Sequence, residues 1–213
     1  PMAFVLTQLC KNFPGREVIP AWNHHFEPTA RVAILGGNGS GKSTFLKLLS
    51  GQLSPTQGLM TCPEIPDNNW AITVSYTGPH VDLQEAFTPR ELFAQHHQWR
   101  PLRPEAALEA IPLSAEALDR PLRDFSSGMK QRVKLALAIW TDAPLLLLDE
   151  PCSHLDQAGM DWFEQCLQAS LAPTKRFSHR MVFVASNHKP EEISQCKEAF
   201  LPTGASVVPL PFH

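Results

Sequence analysis

The stretch Gly36-Gly37-Asn38-Gly39-Ser40-Gly41-Lys42-Ser43-Thr44 constrains this chain more than any other. It fits the pattern G-x-x-x-x-G-K-[ST]. A short apolar run, Val32-Ala33-Ile34-Leu35, comes before it. Phe45, Leu46, Leu48 and Leu49 follow at helical spacing. Strand, glycine-rich loop and helix, in that order, is the context in which such a loop cradles phosphate. Glycines permit positive φ and let the backbone approach a ligand closely. The N–H groups from about Gly39 to Thr44 then point inward, with a helix N-terminus behind them. Lys42 can bridge the β- and γ-phosphates of a nucleoside triphosphate, and the Ser43 hydroxyl can ligate Mg²⁺. Gly36, Asn38, Gly39, Ser40, Gly41, Lys42, Ser43 and Thr44 are therefore the expected nucleotide contacts.

A second stretch has the complementary chemistry. Leu145-Leu146-Leu147-Leu148 runs straight into Asp149-Glu150-Pro151. A strand apolar at every position suits a parallel sheet covered on both faces. The carboxyl ends of such strands are where ligands bind. Asp149 is placed to hold the Mg²⁺ shell, and Glu150 to orient and deprotonate an attacking water.

The bulk numbers fit one compact domain. The chain has 213 residues, 43% hydrophobic and 18% charged, with a net charge of -3. That length buries a sizeable core, and the charge gives no footprint for nucleic acid. No apolar run approaches the roughly 20 residues that span a bilayer, and Pro1-Met2-Ala3-Phe4 lacks the build of a signal peptide. The five cysteines are widely spaced with no C-x-x-C pair, so they read as reduced cytoplasmic thiols. Paired histidines such as His24-His25 and His96-His97 show no metal-ligand spacing.

Along the chain, 5–9 reads as a strand followed by a turn at 12–15, and 71–76 as another strand. Pro89 suits the start of a helix. Residues 79–130, broken by Pro101, Pro104, Pro112 and Pro121, read as a helical lobe. Residues 129–140 read as an amphipathic helix, 161–171 as a helix and 181–185 as a last core strand.

Between the two phosphate-site motifs lies Phe125-Ser126-Ser127-Gly128-Met129-Lys130-Gln131-Arg132. It resembles the signature sequence Leu-Ser-Gly-Gly-Gln of ABC (ATP-binding cassette) ATPases. Phosphate loop, signature and acidic strand, in that order, distinguish this family from kinases and GTPases. The resemblance covers nearly the whole chain. It implies a P-loop NTPase fold: a parallel-sheet core with an antiparallel β edge and a small helical lobe. It also implies that Phe13 stacks on adenine and that Ser153-His154-Leu155-Asp156 is the D-loop, with Asp156 at a dimer contact. Two cassettes, identical or different, would close head to tail on two ATPs. Ser126, Ser127 and Gly128 would then face the other copy's phosphate loop. Ser126 can also cap the helix that follows it.

Two positions depart from the family pattern. Its lobe usually opens with a Gln in a Tyr-x-x-Gln pattern, whereas Tyr76-Thr77-Gly78 is followed here by Pro79 and His80; His80 or Gln84 is left to substitute. The family's switch histidine directly follows Ser or Thr, whereas Ser186 is followed here by Asn187, and His188 comes one residue late. Register favours Asn187. Acid–base chemistry favours His188, which needs a one-residue bulge, and the expectation leans to His188.

The resemblance implies an Mg-dependent ATPase at the inner face of a membrane, powering transport through a separate permease chain. A narrower similarity to small exporter subunits, including the haem-exporter type, rests on size and on Tyr76-Thr77-Gly78. A soluble ABC mechanoenzyme on DNA or ribosomes would usually carry paired cassettes or basic inserts. An ATP-binding cassette with very weak hydrolysis is the other alternative, and the two departures keep it open. Substrate and direction of transport are not written in these residues.

Overall fold

Leu145-Leu146-Leu147-Leu148 forms the centre of the sheet. The strand β6 spans Leu145–Asp149 and is buried throughout. Leu145 and Leu147 pack into one core cluster, and Leu146 and Leu148 into another, as side-chain alternation along a strand requires. Burying one such leucine is worth about 1.5–3 kcal/mol. A position at the sheet surface would forfeit that for half the strand. The structure, a computed structural model, describes residues 4–62 and 70–210. Pro1, Met2 and Ala3 lie outside them.

Among the described residues, β6 lies between β5 (Val74–Thr77) and β7 (Met181–Ser186). The sheet continues through β3 (Arg31–Leu35), β8 (Glu198–Leu201) and β9 (Gly204–Pro209). All neighbours run parallel except β8 and β9. A separate antiparallel sheet has β1 (Phe4–Phe13) between β2 (Arg16–Phe26) and β4 (Gln57–Thr61). This sheet and helix α1 (Lys42–Leu49) share one core cluster with β6 through Phe4, Leu6, Trp22, Phe45 and Leu49. Helices α3 (Pro89–Trp99), α4 (Ser127–Trp140) and α5 (Gln157–Ala169) share the other through Leu92, Val133 and Phe163. A parallel core, an antiparallel edge and a helical side are the architecture expected from the sequence.

Several boundaries differ from expectation. The first strand runs to Phe13, so the turn is only Pro14-Gly15. The strand expected over 71–76 begins as a helical turn, α2 (Trp70–Thr73); the Trp70 indole N–H donates to Leu49 O at 2.7 Å and fixes that turn to the end of α1. The helix expected over 161–171 starts earlier, at Gln157, because Asp156 caps it. The lobe holds less α-helix than its composition suggests. Only α3 is a full helix, started by a capping box between Thr88 and Glu91 with Pro89 in the first turn. Single 3₁₀ turns follow at Leu108–Ala110, Ala115–Asp119 and Leu122–Asp124. The spaced prolines stop any longer helix there.

The α4 helix is held at both ends. Ser126 is its N-cap, with Oγ accepting from Met129 N at 3.3 Å. At its C-terminus, the buried Arg180 guanidinium donates to Ile139 O at 2.6 Å and Thr141 O at 2.9 Å, and Ser75 Oγ donates to Ala138 O at 2.8 Å. Carbonyls that a helix leaves unpaired are thus tied to β5 and to the start of β7.

Candidate functional site

Three neighbouring strands, β6, β7 and β3, end side by side, and their C-terminal loops build the site. Leu35 pairs with Ser186, and Asp149 with Ala185. The next residues along the three strands are Gly36, Asn187 and Glu150, so the register starts all three loops side by side.

The loop after β3 has the geometry that its glycines predict. Gly36 has φ +142, and a Cβ there would lie 2.5 Å from Ser40 Oγ. Gly41 has φ +98, and a Cβ would lie 3.0 Å from Val18 Cγ1. Gly41 is also the N-cap of α1 and supplies no side-chain cap. The first-turn amides of α1 therefore lack a helical partner and suit an anionic ligand. Phe13, Pro14, Arg16 and Val18 of the first hairpin face this loop across a cleft of about 580 Å³. Asn38, Gly39, Ser40, Gly41, Lys42, Ser43, Thr44 and Glu150 complete its lining. Phe13 is 42% exposed, and the Lys11 ammonium lies 5.2 Å from its ring centroid. An exposed aromatic ring in that position has a free face on which a flat base could stack.

Lys42 is buried, and its ammonium donates to Gly36 O at 2.8 Å, Gly37 O at 3.1 Å and Asn187 Oδ1 at 2.7 Å. Ammonium only donates and carboxylate only accepts, which fixes the orientation of the Asn187 amide. Its oxygen faces Lys42, and its Nδ2 donates to Glu150 Oε1 at 3.0 Å and to Asn38 Oδ1 at 3.2 Å. The pairing of β7 with β3 and with β6 contains no bulge. His188 is therefore not delivered to the site. It is exposed, at φ +63, where the chain turns away. Where the sequence leans to His188, the residue against Lys42 and Glu150 in this geometry is Asn187.

Glu150 itself has φ +48, an uncommon conformation for a residue other than glycine. Its N–H donates to Ala185 O at 2.9 Å. Asp149 beside it is 1% exposed, and among the described residues neither carboxylate oxygen has a hydrogen-bond partner. Burial pushes its carboxyl above the usual range, with Glu150 adding to the rise, while nearby Ser43, Lys42 and Lys47 oppose it. The buried Tyr76 hydroxyl and Ser40 Oγ are likewise without partners. An orphaned buried carboxylate beside a hydroxyl is a poor arrangement by itself. It fits a hard cation such as Mg²⁺, which takes oxygen ligands.

Ser126, Ser127, Gly128 and Asp156 lie outside this cleft. The start of α4 meets the 153–156 loop instead: a Cβ on Gly128 would sit 2.7 Å from His154 O, and Arg132 donates to Asp156 Oδ1 at 2.6 Å. Asp156 Oδ1 also accepts from Gly159 N at 2.8 Å, capping α5. The Arg132 hydrogen bond holds its carboxyl below the ordinary range. His80 and Gln84 are both exposed and line no part of the cleft. Arg16 carries no motif and escaped sequence reasoning, yet it lines the cleft and donates to Gly39 O at 2.8 Å. The tight Pro14-Gly15 turn, which pairs Arg16 with Phe13, is the local signal for it.

The family model described as "ABC transporter" matches residues 21–153. The chain belongs to the ABC transporter family. Among relatives of this cassette, the probable ATP-binding protein YheS of Escherichia coli K12 is 31% identical over 185 residues, 74% of the chain. The chain spans only 29% of the length of YheS. The cytochrome c biogenesis ATP-binding export protein CcmA of Rhodopseudomonas palustris (strain BisB5) is 30% identical over 180 residues, covering 83% of this chain and 86% of CcmA. The cassette's fold matches the dimeric structure of a post-hydrolysis state of the ATP-binding cassette MJ0796 bound to ADP and Pi. There the TM-score is 0.77 at 18% identity, covering 99% of this chain and 100% of that one.

Proposed function

We propose that this cassette binds Mg·ATP between Phe13 and the Gly36–Thr44 loop and hydrolyses it, driving transport through a separate membrane permease. The observation that carries the proposal is the contact of Lys42, Asn187 and Glu150 at one end of the 580 Å³ cleft. Adenine would stack on Phe13, with the phosphates over the α1 amides. A γ-phosphate at Lys42 would exchange the ammonium's present acceptors for its own oxygens. Glu150 would take the proton of the attacking water, and Asn187 would orient that water or the γ-phosphate by its amide. Arg16 adds a cation at the mouth of the cleft. Ser43 and Asp149 would hold Mg²⁺, which supplies charge neutralisation at the β- and γ-phosphates.

Within one chain, Ser126, Ser127 and Gly128 do not reach this cleft. That supports a dimer, of like or unlike cassettes, in which each capped α4 N-terminus meets the other chain's nucleotide. No helix of the described residues is long and apolar enough to cross a membrane. A permease would therefore be a different polypeptide or segment, with the cassette on the cytoplasmic side. The similarity to CcmA, named an export protein, supports the export reading and the haem-exporter resemblance. Phosphate release from Mg·ATP by the purified chain, with co-purification of a membrane subunit from its native cell, tests both parts. No phosphate release would overturn the ATPase, and turnover with only soluble partners would overturn the transport role.

Weak hydrolysis is a second reading, favoured by one observation. An amide at position 187 cannot take up a proton, as a histidine there could. On either reading, Asn187→Ala lowers kcat by at least roughly tenfold, the low end for losing a positioned polar contact. ATP affinity changes little, and His188→Ala leaves kcat essentially unchanged. Steady-state phosphate release on the two variants checks this. The reverse ranking would restore His188 as the switch.

A further inference from the structure

Next to Asn187 in the chain, Ser186 points away from the cleft and is fully buried. Its hydroxyl donates to Glu192 Oε2 at 2.5 Å and accepts from Lys189 N at 3.1 Å. The second oxygen of the same carboxylate, Glu192 Oε1, accepts from Cys152 N at 3.2 Å. Glu192 sits on the single-turn helix α6 (Pro190–Ile193) and is 1% exposed. The Lys189 ammonium, 3.8 Å from Oε1, is its nearest cation. Burying a carboxylate is costly unless its oxygens are bonded. Burial drives the Glu192 pKa up, with the Glu150 charge adding to the rise, while the bonds from Ser186 and Cys152 and the charge of Lys189 oppose it. An apolar side chain would fill this space at less cost, but it could not join these two loops.

The two loops are the ones that carry the site. Cys152 follows Glu150 by two residues, and Ser186 precedes Asn187. Glu192 lines no part of the cleft. The geometry points to Glu192 as a positioning residue: its carboxylate sets Glu150 and Asn187 against each other from behind the site. The 3.0 Å contact between those two residues and the left-handed backbone of Glu150 both depend on where these loops are held. This inference rests on the ATPase reading above.

A group that holds catalytic geometry without touching substrate should act on kcat and spare binding. A displacement of about 1 Å at a reacting group can cost roughly 10²-fold in rate. Glu192→Ala is expected to lower kcat at least roughly tenfold, with the ATP Kd within about threefold of wild type. Glu192→Gln should recover most of that loss, since its amide oxygen still accepts from Cys152 N and its NH₂ can donate to Ser186 Oγ. Ser186→Ala cuts the link from the other end and should lower kcat several-fold. The double variant Ser186→Ala/Glu192→Ala should be no slower than Glu192→Ala alone, because both break one connection. If Glu192→Ala does not fold, Ser186→Ala and Glu192→Gln carry the same test. The inference is overturned by a folded Glu192→Ala or Ser186→Ala with wild-type kcat, by ATP affinity falling in step with kcat, or by a Glu192→Gln as slow as the alanine. Wild-type protein that releases no phosphate would remove the ATPase reading and this one together. Wild type that turns over beside an equally fast Glu192→Ala removes this one alone.

Discussion

Glu150→Gln stops ATP turnover and leaves Mg·ATP bound. Glutamine keeps the shape and the oxygen that accepts from Asn187 Nδ2, now at 3.0 Å. It loses the basic oxygen that would take a proton from water. A positioned general base is worth about 10²–10⁴-fold in rate, so kcat should fall by that range, with ATP affinity within about threefold. In the proposed dimer the nucleotide would also join the two cassettes, and a cassette that cannot cleave it should accumulate as an ATP-bound dimer. Size-exclusion chromatography with and without Mg·ATP reads this out directly. A variant that hydrolyses ATP at the wild-type rate would remove Glu150 from the reaction.

Lys42→Ala removes tight binding of Mg·ATP. Lys42 supplies the buried cation at the end of the phosphate loop, with all three of its donors directed at Gly36 O, Gly37 O and Asn187 Oδ1. Phosphate oxygens would replace some of these acceptors and gain a full charge interaction. Hydrogen bonds to charged groups contribute about 1.5–3 kcal/mol, which corresponds to a rise in Kd of roughly 10–150-fold. Isothermal titration calorimetry with Mg·ATP measures it. Unchanged affinity would mean that the 36–44 loop is not the nucleotide site.

What was legible in the sequence was local. The phosphate loop could be read because its glycines sit where positive φ is needed and because strand and helix flank it within a few residues. The Ser126 cap and the all-buried β6 were visible for the same reason, each being set by a handful of adjacent side chains. Long-range register was not visible. Whether Asn187 or His188 meets Lys42 depends on how β7 aligns with β3 and β6, and no feature near residue 187 fixes that alignment. Chemistry alone pointed to His188, and the regular ladder delivers Asn187. Glu192 has no motif because its meaning comes from joining Ser186, six residues before it, to Cys152, 40 residues away in sequence. The strand expected over 71–76 overlaps the turn at Trp70–Thr73 because the constraint on that turn is a hydrogen bond to Leu49, which local patterning does not read.

The most direct test is a crystal structure of Glu150→Gln grown with Mg·ATP. Expected are adenine against Phe13, phosphates on the amides of the 39–44 loop with Lys42 at the γ-phosphate, Mg²⁺ held by Ser43 and Asp149, and Ser126–Gly128 of a second copy closing the site. Nucleotide bound elsewhere, or bound here with Asp149 and Glu150 turned away from the phosphates, would contradict the proposed site.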